Sequence, residues 1–237
     1  MARGNLYRQR PTGDKVQVYL WINCFLIGLA MGSITFVMDI ICHYLYHWKF
    51  EAGAKVWENS QFWAYLVDVS ISLLYAFIAA VLTLYLAPAA MGSGVAECMG
   101  MLNGVKYPDY VGIRVGIVKL LGVSLGSTAG LCLGKEGPLV HMGYVVGNLM
   151  PYLPFKWQKY FRNDVEKRKL GAIGCAAGVS AAFGAPIGGS LFAFELSKPN
   201  TFWSFSLTWK VFFASSISVF FLQIFDQLYE GKGIGIQ

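Results

Sequence analysis

Charge is scarce in this chain. Of its 237 residues only 14% are Asp, Glu, Lys or Arg, where a soluble domain carries roughly a quarter. Apolar residues make up 56% and the mean hydropathy is +0.50. Long runs without charge point to lipid as the solvent. The net charge of +6 does not imply a nucleic-acid partner, because much of the positive charge sits in short connectors. Cysteine is sparse too. Cys24, Cys42, Cys98, Cys132 and Cys175 form no CxxC pair and are odd in number, which excludes a disulfide framework. Of three histidines, His43 and His47 stand four apart without a third ligand in a recognisable spacing. They read as belt residues at the end of a span, and no metal site is expected.

Catalytic signatures are missing as well. Gly134-Lys135 resembles the end of a phosphate loop, but Ala129 replaces the first glycine and Glu136 the Ser or Thr. No Ser/His/Asp set is visible. The reading is therefore no enzyme and no cofactor.

The runs present are uneven. Residues 1–16 hold Arg3, Arg8, Arg10 and Lys15 against Asp14, a basic flank that predicts a cytoplasmic N-terminal segment. Residues 18–46 are apolar except for Asp39 and end in an aromatic belt at Tyr44-Leu45-Tyr46-His47-Trp48. A short polar loop is expected at 49–60. A second span covers about 62–87, with Asp68 inside and Pro88 closing it. A short segment to about Val105, a run at 111–133 holding Arg114 and Lys119, and a half-length stretch at 139–150 follow. Residues 156–169 read as a basic, water-facing loop. Then come 170–183, 187–196 and a last span at about 202–225 with Lys210 inside, before a polar tail at 229–237. The membrane domain is placed at 17–228.

Breaks separate these runs. In lipid a broken helix is tolerated only inside protein or beside water, so breaks mark a permeant site. Gly92-Ser93-Gly94 puts a hydroxyl ahead of a short helix, where free N–H groups attract an anion or where Ser93 is an ordinary N-cap. Gly134-Lys135-Glu136-Gly137-Pro138 puts a carboxylate at a helix start, where it can occupy the place an anion would take. The plainer reading is a Lys135–Glu136 surface pair. Gly184-Ala185-Pro186-Ile187-Gly188-Gly189 begins another helix, with Glu195 two turns on. Glu195 is either an intramembrane functional acid or the water-exposed end of that helix.

In order and spacing these motifs resemble the CLC family of chloride channels and chloride/proton exchangers. Gly92 to Glu97 is similar to its GSGIPE motif, with Ala96 in place of proline. Gly134 to Pro138 matches GKEGP, and Ala182 to Gly189, continued by Leu191-Phe192 and Glu195, resembles the third stretch. The resemblance implies an all-α polytopic membrane fold of tilted, broken helices, the first of two inverted repeats. It implies Glu136 as a gate and Ser93, Gly94, Gly134, Lys135 and Gly137 around the anion. Serine at 93 goes with chloride in that family. It implies a homodimer through 187–225. Leu196 stands where exchangers of the family carry a proton-relaying glutamate, which favours a voltage- or pH-gated chloride channel. Phe202-Trp203 and Leu207-Thr208-Trp209-Lys210 resemble the endosomal and lysosomal branch, which favours an exchanger and leans towards an internal membrane. One repeat would half-line an anion site. The chain is therefore expected to be part of a longer protein, with a non-conducting half-protein that regulates full-length relatives as the alternative.

Overall fold

Hydrocarbon offers no partner to a free backbone N–H or C=O, so a chain this apolar must pair those groups within itself. The computed structural model describes residues 13–57, 60–197, 203–229 and 231, and every regular element among them is helical. The helices are α1 (Gly13–Trp57), α2 (Gln61–Val81), α3 (Val95–Leu102), α4 (Ile113–Thr128), α5 (Glu136–Leu149), α6 (Asp164–Phe183), α7 (Pro186–Ser197) and α8 (Phe205–Tyr229). Three stretches among the described residues, Lys15–Trp57, Gln61–Leu86 and Phe205–Tyr229, are long and apolar enough to cross a membrane.

The core forms where α5 and α6 cross. Leu170 to Ala181 of α6 are buried without interruption, so this helix is apolar on all sides and surrounded by its neighbours. The crossing is backbone on backbone. A Cβ built on Gly143 of α5 would collide with the Gly174 carbonyl of α6, and one on Gly174 with the Gly143 carbonyl. Small residues at this contact let two helices approach more closely than side chains permit. Leu139, Leu170, Ile173 and Ala177 extend the core to Ile27 and Met31 of α1 and to Val211 and Ala214 of α8. By contrast, the most apolar stretch of α2 is almost unburied, with Phe62, Trp63, Leu73 and Phe77 exposed to the solvent that suits them, lipid.

Three contacts set the ends of the molecule. Tyr19 near the start of α1 stacks on Trp157, with ring centroids 5.2 Å apart. The Gln158 amide donates to Asn23 Oδ1 at 2.7 Å, and Lys106 pairs with Asp164 at 3.7 Å. The 156–169 connector and the turn after α3 thus lie at the N-terminal end of α1. The C-termini of α3 and α5 point to that end, and their N-termini point away from it.

Several boundaries differ from the sequence reading. The expected loop at 49–60 is mostly helix, since α1 runs unbroken to Trp57. Its polar turns are held by Lys49–Asp68 at 3.4 Å, Lys55–Glu51 at 3.0 Å and a Tyr46 hydroxyl donating to the Ser127 carbonyl at 2.9 Å. The 156–169 connector is not simply a water-facing loop. Gln158 and Phe161 in it are fully buried, and α6 has begun by Asp164. The run at 111–133 stops at Thr128, where Gly130 turns the chain at φ +85°. The run at 62–87 is α-helical only to Val81 and continues as a π turn over Leu82–Leu86. At the ends, α1 starts at Gly13 and α8 reaches Tyr229, so both enter segments read as flanks. Arg3, Arg8, Arg10, Phe202 and residues 232–237 lie outside the described residues.

Candidate functional site

The first break folds as a left-handed turn. Gly94 is the N-cap of α3 with φ +82°, a value that favours glycine. Close approach adds a second constraint. A Cβ there would stand 2.7 Å from the Tyr110 hydroxyl and 2.8 Å from His141 Nδ1. Ser93 is therefore not the cap itself. It precedes the cap, is exposed, and its hydroxyl lies 3.5 Å from the Val95 N–H. At that length the oxygen is barely engaged and remains available to a ligand.

The second break starts α5. Glu136 is its first residue, Gly137 the second and Pro138 the third, a place where proline loses no hydrogen bond. The Leu139 N–H reaches the Lys135 carbonyl at 3.0 Å and closes the first turn. Lys135 and Glu136 do not form a surface pair. The Lys135 ammonium instead reaches Asp39 Oδ1 on α1 at 2.7 Å, both side chains a little over a third exposed. The Glu136 carboxylate folds back over Gly134, where a Cβ would collide with its Oε2. Asp39 lies 16 residues beyond Asn23 on α1, so the Lys135 turn is about 24 Å along that helix from the connector end.

The two breaks meet. A Cβ on Gly137 would stand 2.7 Å from Ser93 Cβ and 3.7 Å from its hydroxyl. Two helix N-termini, each with unpaired N–H groups and a partial positive charge, thus converge beside one carboxylate. A cavity of about 430 Å³ opens there, lined among others by Ser93, Gly134, Pro138, Lys119 and Thr83 of the π turn.

A family profile described as voltage gated chloride channel matches residues 75–234, two thirds of the chain and both breaks. The chain belongs to the CLC family. It is 36% identical to chloride channel protein A of Dictyostelium discoideum over 90% of this chain and 26% of that protein. It is 36% identical to H(+)/Cl(-) exchange transporter 7 of Mus musculus over 92% of this chain and 28% of the relative. The identity to chloride channel protein CLC-d of Arabidopsis thaliana is 39%, over 91% and 27% respectively. The chain thus spans little more than a quarter of the length of these curated relatives. The crystal structure of a eukaryotic CLC transporter superposes with a TM-score of 0.78 at 22% identity, covering 93% of this chain and 39% of that one. That likeness fixes the all-α CLC fold, and the family profile together with the long apolar helices makes the chain an integral membrane protein.

Of the sequence-predicted positions of this CLC chain, Ser93 and Gly134 line the cavity, whereas Gly94, Lys135, Glu136 and Gly137 adjoin them without lining it. Gly184, at φ +64°, ends α6 and Pro186 starts α7, but neither lines the space between Ser93 and Gly134. Glu195 is exposed. Leu196 is buried among Cys98, Met101, Leu102, Tyr144 and Cys175, an apolar cluster beneath α3.

Sequence reasoning assigned no role to two further residues, of which Lys119 lines the cavity and His141 stands behind it. Lys119 of α4 is 1% exposed and His141 of α5 is fully buried. The Lys119 ammonium meets His141 Nδ1 at 2.7 Å, and His141 Nε2 meets the Tyr110 carbonyl at 3.1 Å. The signal was present in the sequence, since a lysine inside an apolar run marks a functional position by default.

Proposed function

We propose that this CLC chain supplies part of a chloride pathway, with chloride held between the N-termini of α3 and α5. Ser93, Gly94, Gly134, Lys135 and Gly137 surround the anion, and Glu136 is the gate. One observation carries the reading: Ser93 rests against Gly137, both breaks contribute to the wall of one cavity through Ser93 and Gly134, and the Glu136 carboxylate folds over Gly134. A carboxylate at a helix N-terminus and a chloride ion compete for the same N–H groups. With Glu136 folded over Gly134 the site is closed to an anion, and when the side chain swings out the site is free. The test is chloride efflux from proteoliposomes holding the full-length protein. Glu136→Ala is expected to keep conducting while losing the pH dependence of the wild type. Unchanged gating in that variant would sink the reading.

The transport mode we favour is a passive channel, gated by voltage or pH. Leucine cannot relay a proton, and Leu196 sits in an apolar cluster. The second reading, a chloride/proton exchanger, is favoured by the similarity to H(+)/Cl(-) exchange transporter 7. An imposed chloride gradient that drives protons uphill would select it. The exposed apolar side chains Ile187, Leu191, Phe205, Trp209 and Phe220 on α7 and α8 support a homodimer through 187–225.

A further inference from the structure

The Lys119–His141 contact has a chemistry of its own. The Tyr110 carbonyl can only accept, so His141 Nε2 must carry the proton that bonds it. Nδ1 then has a lone pair, and the Lys119 ammonium donates to it at 2.7 Å. A doubly protonated imidazole would set two cations face to face there, so the ring is neutral. The ring is also held in plane, stacked on the Tyr110 ring with centroids 4.1 Å apart. Lys119 is thus hydrogen-bonded but not neutralised. Among the described residues no carboxylate comes within ion-pair distance of it, and the Glu97 carboxylate of α3 acts on it only from beyond that distance. The nearby pair at the cavity, Lys135 with Asp39, cancels its own charge. A buried cation with no counter-ion in contact is strongly disfavoured unless it gives up its proton or an anion comes to it.

Resting on the functional reading above, we propose that His141 is a positioning residue that holds Lys119 as a fixed positive charge, with no counter-ion in contact, in the wall of the chloride cavity. The imidazole abuts the Gly94 turn on one side and Lys119 on the other. Lys119 in turn lines the same cavity as Ser93 and Gly134. An anion there gains the field of a whole charge as well as two helix ends, and a cation is repelled. The neutral imidazole is essential to this arrangement. A carboxylate in its place would bind Lys119 and cancel the field.

The test is the chloride concentration that half-saturates flux in proteoliposomes of the full-length protein. A structural role for the pair would change the amount of folded protein or the maximal flux and leave half-saturation alone. Lys119→Met, an apolar near-isostere, is expected to raise half-saturation roughly tenfold or more, the effect of removing a unit charge within several ångströms at partial screening. His141→Leu, which removes the acceptor, is expected to raise it several-fold. His141→Gln, which keeps one acceptor and one donor, is expected to recover most of that loss. Half-saturation unchanged in Lys119→Met, or His141→Gln no better than His141→Leu, would overturn the proposal. Loss of folded protein in all three would assign the pair to the fold alone and overturn it too. A wild type that moves no chloride would instead defeat the functional reading, and this inference with it.

Discussion

Ser93 and Gly137 touch across two separate helix starts, so closely that the hydrogen at Gly137 Cα is the largest substituent the contact allows. A methyl there would lie 2.7 Å from Ser93 Cβ, well inside ordinary contact distance. Gly137→Ala is therefore expected to push the α3 turn off α5. Overpacking of this kind costs about 1–3 kcal/mol, which a protein of this size survives. We predict folded Gly137→Ala protein with chloride efflux reduced at least about tenfold. Wild-type efflux would show that the contact is incidental.

The Lys135–Asp39 pair anchors the residue next to the gate. At 2.7 Å but with each side chain over a third exposed, it contributes about 0.2–1 kcal/mol to stability. Asp39→Asn is expected to leave thermal unfolding nearly unchanged. It also frees the Lys135 ammonium to attract the Glu136 carboxylate, which should slow opening. Gating kinetics in planar bilayers check this, and kinetics identical to the wild type would contradict it.

The α5–α6 crossing is the place where the fold should break first. Gly174→Val puts a branched side chain into the Gly143 carbonyl, and neither backbone can retreat from a packed core. The expected cost is about 3 kcal/mol or more. Heating in detergent followed by size-exclusion chromatography should show a markedly lower midpoint or no folded peak. Gly53→Val, where a Cβ would meet nothing within 4 Å, serves as the control and should behave as wild type.

Much of this was legible in the sequence because membrane solvent leaves few options. The apolar runs gave the spans, and the breaks at Gly92-Ser93-Gly94 and Gly134-Lys135-Glu136-Gly137-Pro138 gave the α3 and α5 starts. What the sequence concealed was tertiary. The end of α1 looked like a loop because Lys49, Glu51 and Lys55 are polar. Polarity alone does not stop a helix, however, and Lys49 is buried at 6% exposure with Asp68 and the Thr128 carbonyl as partners. Gln158 and Phe161 lie in a basic stretch with nothing local to mark them as buried, and Asn23, 135 residues away, supplies the partner. His141 drew no attention beside the visible pair at 43 and 47. His47 in fact faces Glu51 at 3.7 Å, and the histidine in contact with the cavity's lysine is the solitary one.

The central claim is that an anion sits between Ser93 and the start of α5. Bromide substitutes for chloride and scatters anomalously, so its position in crystals of the full-length protein with Glu136→Ala can be read directly. The account predicts an anomalous peak within hydrogen-bonding reach of the Ser93 hydroxyl, on the cavity side of Gly134. Bromide that binds elsewhere and leaves this cavity without a peak would contradict it.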